Sequence, residues 1–189
     1  MGCASSNHHV ADERRDADVE LAIRAATGDE VAFVQIVRRY DTGLRRLAFR
    51  MVGDRDAMDD VLQEAYLKAF ASIASFRGRA SPRTWLYRIV YNASLDQLRR
   101  RRRQPIAQSV DAATRDPSDQ TDLRLSLADA LAALAPEERA AVLLVDAEGL
   151  SYEDAAAIIG VAAGTIGSRL SRARAALRRA LREPEGVSA

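Results

Sequence analysis

The stretch Leu150–Leu177, reading LSYEDAAAIIGVAAGTIGSRLSRARAAL, constrains the fold more than any other part of the chain, because it encodes two short helices and the turn between them. Ser151 can accept an orphan backbone N–H of a first helical turn, and Asp154, three residues on, can return the bond, which is the spacing of a capping box. Tyr152, Ala155, Ile158 and Ile159 then share one face, and Gly160 can end the helix in the left-handed region at no steric cost. After Val161, the residues Ile166, Leu170, Ala173, Leu177 and Leu181 recur at steps of three and four, a narrow apolar stripe for packing on the first helix. Gly164, Ser168, Ser171, Arg172 and Ala175 lie opposite that stripe, flanked by Thr165 and Arg169 on one side and Arg174 on the other. Small residues there permit close approach, and arginines can reach a guanine edge or phosphates. The pattern predicts a helix-turn-helix whose second helix reads nucleic acid; the plain alternative is a hairpin with a solvated Arg-rich face.

With 189 residues the chain can form one medium domain or two small ones. Aromatics at 5% and abundant Ala, Leu and Arg favour helices, and no sheet is expected. A net charge of +1 would argue against nucleic acid if it were evenly spread. It is segregated: Arg99–Arg103 and Arg169–Arg182 are basic blocks, while acid gathers at Asp54–Glu64 and Asp111–Asp122. The single cysteine, Cys3, excludes an internal disulfide and a Cys-rich zinc site. His8 and His9 sit in a polar tail, so no Ser/His or Cys/His constellation, and no metal or cofactor site, is expected in the body of the chain. No apolar run reaches the length of a membrane span, which predicts a cytoplasmic protein without membrane insertion. Met1-Gly2-Cys3-Ala4-Ser5-Ser6 fits a myristoylation pattern, with Cys3 as a second acyl site, but the pattern is short and a tail that happens to read this way is the preferred account.

Taken in order, residues 1–15 read as a tail, and the apolar run from Asp18 to Ala26 predicts a helix ended by Gly28. Asp29 or Gly28 caps a second helix that runs toward Gly53, with Gly43 as a weak point in its middle. Met58, Val61, Leu62, Ala65, Tyr66, Ala69, Phe70 and Ile73 predict the buried face of a third, whose outer face holds Asp59, Asp60, Gln63, Glu64 and Lys68. A basic loop, Phe76–Ser81, leads to Pro82 at the first position of a helix reaching Arg103, with Ser81 as cap. In that helix Trp85, with Leu86, Ile89 and Ala93, reads as a core plug rather than a platform for a base. Residues 104–122 lose all apolar period and read as a linker. Leu123–Leu134 and the segment starting at Pro136 then supply two more helices ahead of the helix-turn-helix, making a four-helix C-terminal domain.

Two blocks carry a family resemblance. Gly164-Thr165-Ile166-Gly167-Ser168-Arg169-Leu170-Ser171-Arg172-Ala173-Arg174, preceded by Glu148–Asp154, resembles the promoter-reading end of bacterial extracytoplasmic-function (ECF, group 4) sigma factors of the sigma-70 family. Asp60–Phe70, DVLQEAYLKAF, resembles the segment by which that family docks on the clamp helices of core RNA polymerase. The resemblance implies an all-α protein with a tail at 1–15, a region-2-like domain at 16–103, a linker at 104–122, a region-4-like helix-turn-helix domain at 123–183 and a tail at 184–189. It implies minus-35 contacts by Thr165, Ser168, Arg169, Ser171 and Arg172. Minus-10 contacts would come from Phe76, Arg77, Arg79, Ser81, Arg83, Arg88, Tyr91 and Asn92, with Arg99–Arg103 along the backbone. Stacked bases of a melted strand contribute roughly 1–3 kcal/mol each. Asp60, Gln63 and Glu64 would touch the polymerase, since acidic groups suit a basic protein surface better than DNA. The implied partners are core RNA polymerase, through its beta-prime clamp helices and beta flap, promoter DNA and an anti-sigma factor, under stress or signal control.

The linker is too short for the extra helical domain of larger sigma factors. About twenty extended residues reach roughly 65 Å, which is also roughly the length of a spacer of nearly twenty base pairs at about 3.4 Å each. Two departures from the family stand out. Gly167 replaces a frequent Lys or Arg, and Ala162 replaces a Ser or Pro at the expected N-cap. A lost cap and an interior glycine each cost about 1 kcal/mol, so the reader helix is expected to firm up on DNA. No enzyme is expected, catalysis being the polymerase's. The rival readings are a dimeric helix-turn-helix regulator acting without polymerase, and an adaptor anchored by lipid on Gly2 and Cys3.

Overall fold

A computed structural model describes residues 16–78, 80–103 and 127–181. Every regular element among them is helical: α1 (16–26), α2 (Glu30–Val52), α3 (Arg55–Ser72), a 3-10 turn at Ile73–Ser75, α4 (Pro82–Arg103), α5 (127–132), α6 (Pro136–Val142), α7 (Tyr152–Ile159) and α8 (Ala163–Ala180). The expected tails and linker lie outside the described residues, and Arg79 with them.

Local signals set the boundaries. Asp29 caps α2 by accepting from the Ala32 N–H at 2.9 Å, and Asp54 caps α3 by accepting from the Ala57 N–H at 2.8 Å. Gly53 ends α2 at φ 74°, its N–H donating to the Phe49 carbonyl, and the chain turns there into α3. In the N-terminal lobe α2, α3 and α4 pack on one another around Leu44, Leu47, Met51, Val61, Leu62, Leu86 and Val90, and α1 adds Leu21, Ala22 and Ala25. In the C-terminal lobe α6, α7 and α8 pack around Leu144, Ile158, Ile166 and Leu170.

Gly43 does not loosen α2, which runs unbroken through it. A Cβ there would meet Tyr87 Oη at 2.0 Å and Glu148 Oε2 at 2.8 Å, so the glycine is a notch that admits a tyrosine from α4 and a carboxylate from the other lobe. Phe70, expected on the buried face of α3, is instead half-exposed, its ring meeting Phe33 edge-on at 5.2 Å. α6 passes into a five-residue π-helical turn, Leu143–Ala147, that no sequence signal announced. The two lobes are in contact: α7 lies on α4 and α6 on α2, and the buried side chains of both form one continuous cluster.

Candidate nucleic-acid and partner interfaces

The helix-turn-helix is built as its caps dictate. Ser151 accepts from the Asp154 N–H at 3.0 Å, and Gly160 closes α7 at φ 80°. The second half of the capping box differs from expectation. Asp154 does not return a bond to the Ser151 backbone; it accepts from the Ser151 hydroxyl at 2.9 Å and from Thr84 Oγ1 of α4 at 2.8 Å. Ala162 stands at the N-cap of α8 with no side-chain bond, so the first turn of the reader helix keeps orphan donors free.

Ile166, Leu170 and Ala173 form the buried stripe of α8, Leu177 is half-buried, and Leu181 is exposed. On the outer side Ser168, Ser171 and Arg172 are exposed, Thr165 and Arg169 partly so. Two arginines of this helix are engaged with acids of the same lobe. Arg172 donates to Glu138 at 2.9 Å, while Arg174 forms a two-pronged pair with Asp146 at 2.6 and 3.0 Å, which pushes its pKa further up through those hydrogen bonds. One guanidinium nitrogen of Arg169, Nη1, is buried with no partner among the described residues.

The expected minus-10 residues divide. Arg88 and Asn92 are exposed on α4 and Arg77 is exposed in the preceding loop, where it donates to the Ala74 carbonyl at 2.7 Å, while Ser81 is partly buried and accepts from the Thr84 N–H at 3.0 Å as the cap of α4. Phe76 is buried edge-on against Trp85 at 5.7 Å, and Tyr91 is 2% exposed, so neither ring offers a face to a base in this arrangement. Burial pushes the Tyr91 phenol up to about 12, with Glu137 adding to the rise and Arg169 and Arg99 opposing it. Arg83 is also occupied: it donates to the backbone carbonyl of Glu148 and lies over the Tyr87 ring at 5.5 Å. Trp85 is the core plug that its apolar neighbours predicted.

The basic run at the end of α4 splits likewise. Arg100 donates to Glu64 at 2.6 Å, and Arg101 to Asp54 at 3.0 Å and to the Val52 carbonyl at 3.3 Å, which ties the end of α4 to α3 and to the turn before it. Arg102 and Arg103 are exposed. Of the three residues expected to dock on the polymerase, Asp60 and Gln63 are exposed on α3, with Leu67 a turn further along at 66% exposure. Glu64 is paired with Arg100 and Lys68, in that order the hydrogen bonds that hold its carboxyl below the usual range. It is thus neutralised within its own lobe, and less available than its neighbours.

Sequence reasoning missed Glu148, Arg46 and Arg139. Glu148, whose side chain is 5% exposed, accepts from Arg46 Nε at 2.6 Å, from Arg46 Nη2 at 3.1 Å and from Tyr87 Oη at 2.8 Å. Arg139 is buried and donates from Nη1 to the Met51 carbonyl at 2.6 Å, capping the end of α2 from the other lobe. Burial, with some repulsion from Arg102, pulls its pKa down. No periodicity links residues so far apart in the chain.

Comparison with known proteins places this architecture. The sigma-70 region 2 family matches residues 36–104, and sigma-70 region 4 matches residues 124–177. The chain is 42% identical to the ECF RNA polymerase sigma factor SigM of Mycobacterium tuberculosis, over 87% of this chain and 85% of that protein. It is 36% identical to the ECF RNA polymerase sigma-E factor of Escherichia coli, over 85% and 92%. Among solved structures, CnrH in complex with the cytosolic domain of CnrY superposes with a TM-score of 0.70 at 30% identity, covering 87% of this chain and 97% of that one. The sigma factor RpoE in complex with the anti-sigma factor NepR from Bartonella quintana gives 0.65 at 34% identity, covering 79% and 96%. With two regional matches in order along one chain and relatives aligned over most of their length, this chain belongs to the ECF sigma factors of the sigma-70 family.

Proposed function

We propose that the chain binds core RNA polymerase and directs it to promoters, the region-2-like lobe (16–103) docking on the enzyme and engaging the minus-10 element while the region-4-like lobe (123–183) reads the minus-35 element. The observation that carries this is the pairing, on one chain, of a helix-turn-helix with a second block whose α3 exposes Asp60 and Gln63. An acidic face has no use to a protein that only reads DNA, because it repels phosphate; it suits a basic protein partner. The chain supplies address and duplex opening, and nucleotide chemistry belongs to the polymerase.

At the minus-35 element the outer face of α8, with Thr165, Ser168, Arg169, Ser171 and Arg172, enters the groove. At the minus-10 element Arg77, Arg79, Ser81, Arg88 and Asn92 are the first to meet the strand. An anti-sigma factor is a further partner, supported by a solved relative held in such a complex. The chain acts where the polymerase does, in the cytoplasm, and no helix among the described residues is long and apolar enough to cross a membrane.

The test is partner dependence of DNA binding. Labelled promoter fragments titrated with the chain alone are expected to bind weakly, and tightly once core polymerase is present. Asp60→Lys is expected to abolish that gain while leaving helix content unchanged. Tight, palindrome-specific binding by the chain alone would instead establish a free-standing regulator.

A further inference from the structure

We infer that Glu138 is a positioning residue for the reader helix: it holds Arg172 by one edge of the guanidinium, so that the other edge reads a single G·C pair of the minus-35 element. Arg174, two residues on, is withdrawn from that task by Asp146. The inference rests on the promoter reading above and deepens it.

The two arginines are bound in different ways. Arg174 donates from Nε to Asp146 Oδ2 at 3.0 Å and from Nη2 to Oδ1 at 2.6 Å, so the carboxylate takes a whole side of the guanidinium fork. Asp146 belongs to the π-helical turn Leu143–Ala147, and the pair ties that turn to α8. Arg172 donates from Nε alone, to Glu138 Oε1 at 2.9 Å, and neither of its Nη atoms makes a hydrogen bond among the described residues. A guanidinium held at Nε turns its Nη1–Nη2 edge away from the acceptor, because its nitrogens are coplanar and fixed in angle. That edge offers two N–H groups side by side, and guanine is the one base that shows two adjacent acceptors, O6 and N7, in the major groove.

Glu138 is well placed to hold that orientation. It lies in the first turn of α6, which packs along α8, so it faces Arg172 although 34 positions separate them in the chain. The Glu138 side chain is 23% exposed and that of Arg172 65%. An ion pair so open adds little to stability, and what it supplies is direction. A free arginine loses rotamers when it docks in a groove, and Glu138 removes part of that loss beforehand. The carboxylate has a second effect. Standing beside Arg172, it disfavours a phosphate oxygen there, so the pair gives up backbone attraction in favour of base discrimination.

The experiment is competition binding by the holoenzyme, core polymerase with the full chain, to duplex promoter fragments whose upstream element is randomised. The wild-type chain is expected to enrich one G·C pair that Arg172→Ala no longer enriches. Glu138→Ala is expected to lower the preference at that same position by roughly tenfold, and at no other, while binding mismatched fragments at least as tightly as the wild type. Its binding to mismatched fragments should also depend more steeply on salt, by about one released ion, because Arg172 is then free to take a phosphate. Glu138→Gln keeps an oxygen for Nε and is expected to keep the preference. Should Glu138→Ala fold poorly, Glu138→Asp, which retains the charge but falls one methylene short of Nε, carries the same expectation. Arg174→Ala is expected to leave the base preference as it was, since Asp146 already occupies its fork.

An unchanged preference in Glu138→Ala and Glu138→Asp would overturn the positioning role. So would an equal loss of binding to all fragments, which is the mark of a residue that only supports the fold. Continued enrichment of the same pair by Arg172→Ala would overturn Arg172 as its reader. A wild-type holoenzyme that enriches no upstream element contradicts the promoter reading on which the inference rests, a result distinct from the other three.

Discussion

The two lobes solve the same problem, packing helices around a small core, with different materials. The N-terminal lobe uses long helices with side-chain caps at Asp29 and Asp54 and four buried or half-buried tyrosines, Tyr40, Tyr66, Tyr87 and Tyr91. The C-terminal lobe uses α7 of eight residues and an α8 that starts uncapped at Ala162 and carries Gly164 and Gly167. Docking on a large protein needs a surface fixed in advance, because every side chain ordered on binding subtracts from affinity. A helix that enters a DNA groove can take its last ordering from the phosphates, whose oxygens satisfy the same orphan N–H donors that Ala162 leaves open.

High pH should separate the lobes most strongly. All four tyrosines have pKa values raised first by burial and then, for three of them, by a hydrogen bond to a carboxylate: Asp18 for Tyr40, Asp41 for Tyr66 and Glu148 for Tyr87. A folded pKa above the unfolded one means that this stability is complete below the ordinary value of 10.0 and drains away as pH rises past it. For Tyr91, raised to about 12, the loss is at most about 3 kcal/mol. Phenolate absorbance should therefore appear together with loss of helix above pH 10, and the N-terminal lobe should lead in hydrogen exchange. Simple titration of these tyrosines with the fold intact would break the comparison.

Two glycines inside helices test it at the scale of one methyl group. Gly43→Ala puts a Cβ against Tyr87 and Glu148, and should lower stability by about 1–3 kcal/mol in a denaturant titration despite the better helix propensity of alanine. Arg172→Ala removes an exposed cation of α8 and should weaken minus-35 discrimination by roughly 1–3 kcal/mol in competition binding with the holoenzyme; unchanged selectivity would take Arg172 out of the reading face. Gly164→Ala meets nothing within 4 Å, so it should gain about 1 kcal/mol and slow amide exchange in α8. Equal responses at Gly43 and Gly164 would mean that the lobes are not built differently after all.

How much of this was legible in the sequence follows from the range of each interaction. Caps and turns are local: Ser151, Gly160, Asp29 and the missing cap at Ala162 could all be read within four residues of where they act. The family blocks are local too, each within a dozen positions. Burial of aromatics was less legible, because Phe76 and Tyr91 serve equally well as base platforms or as core, and only the packing of α4 decides. Gly43 read as a flaw because its use depends on Tyr87 and Glu148, both far along the chain. The pair Arg46–Glu148 spans 102 positions and obeys no period, so nothing short of the fold announces it.

The central claim is that this chain gives core RNA polymerase a promoter address through two separate readers. It is tested most directly by run-off transcription on a library of randomised promoters, with purified core polymerase and the purified chain. The account predicts transcripts only when both are present, from templates that share two short elements separated by a fixed spacer. Transcription indifferent to the chain, or selected templates that share a single element, would contradict it.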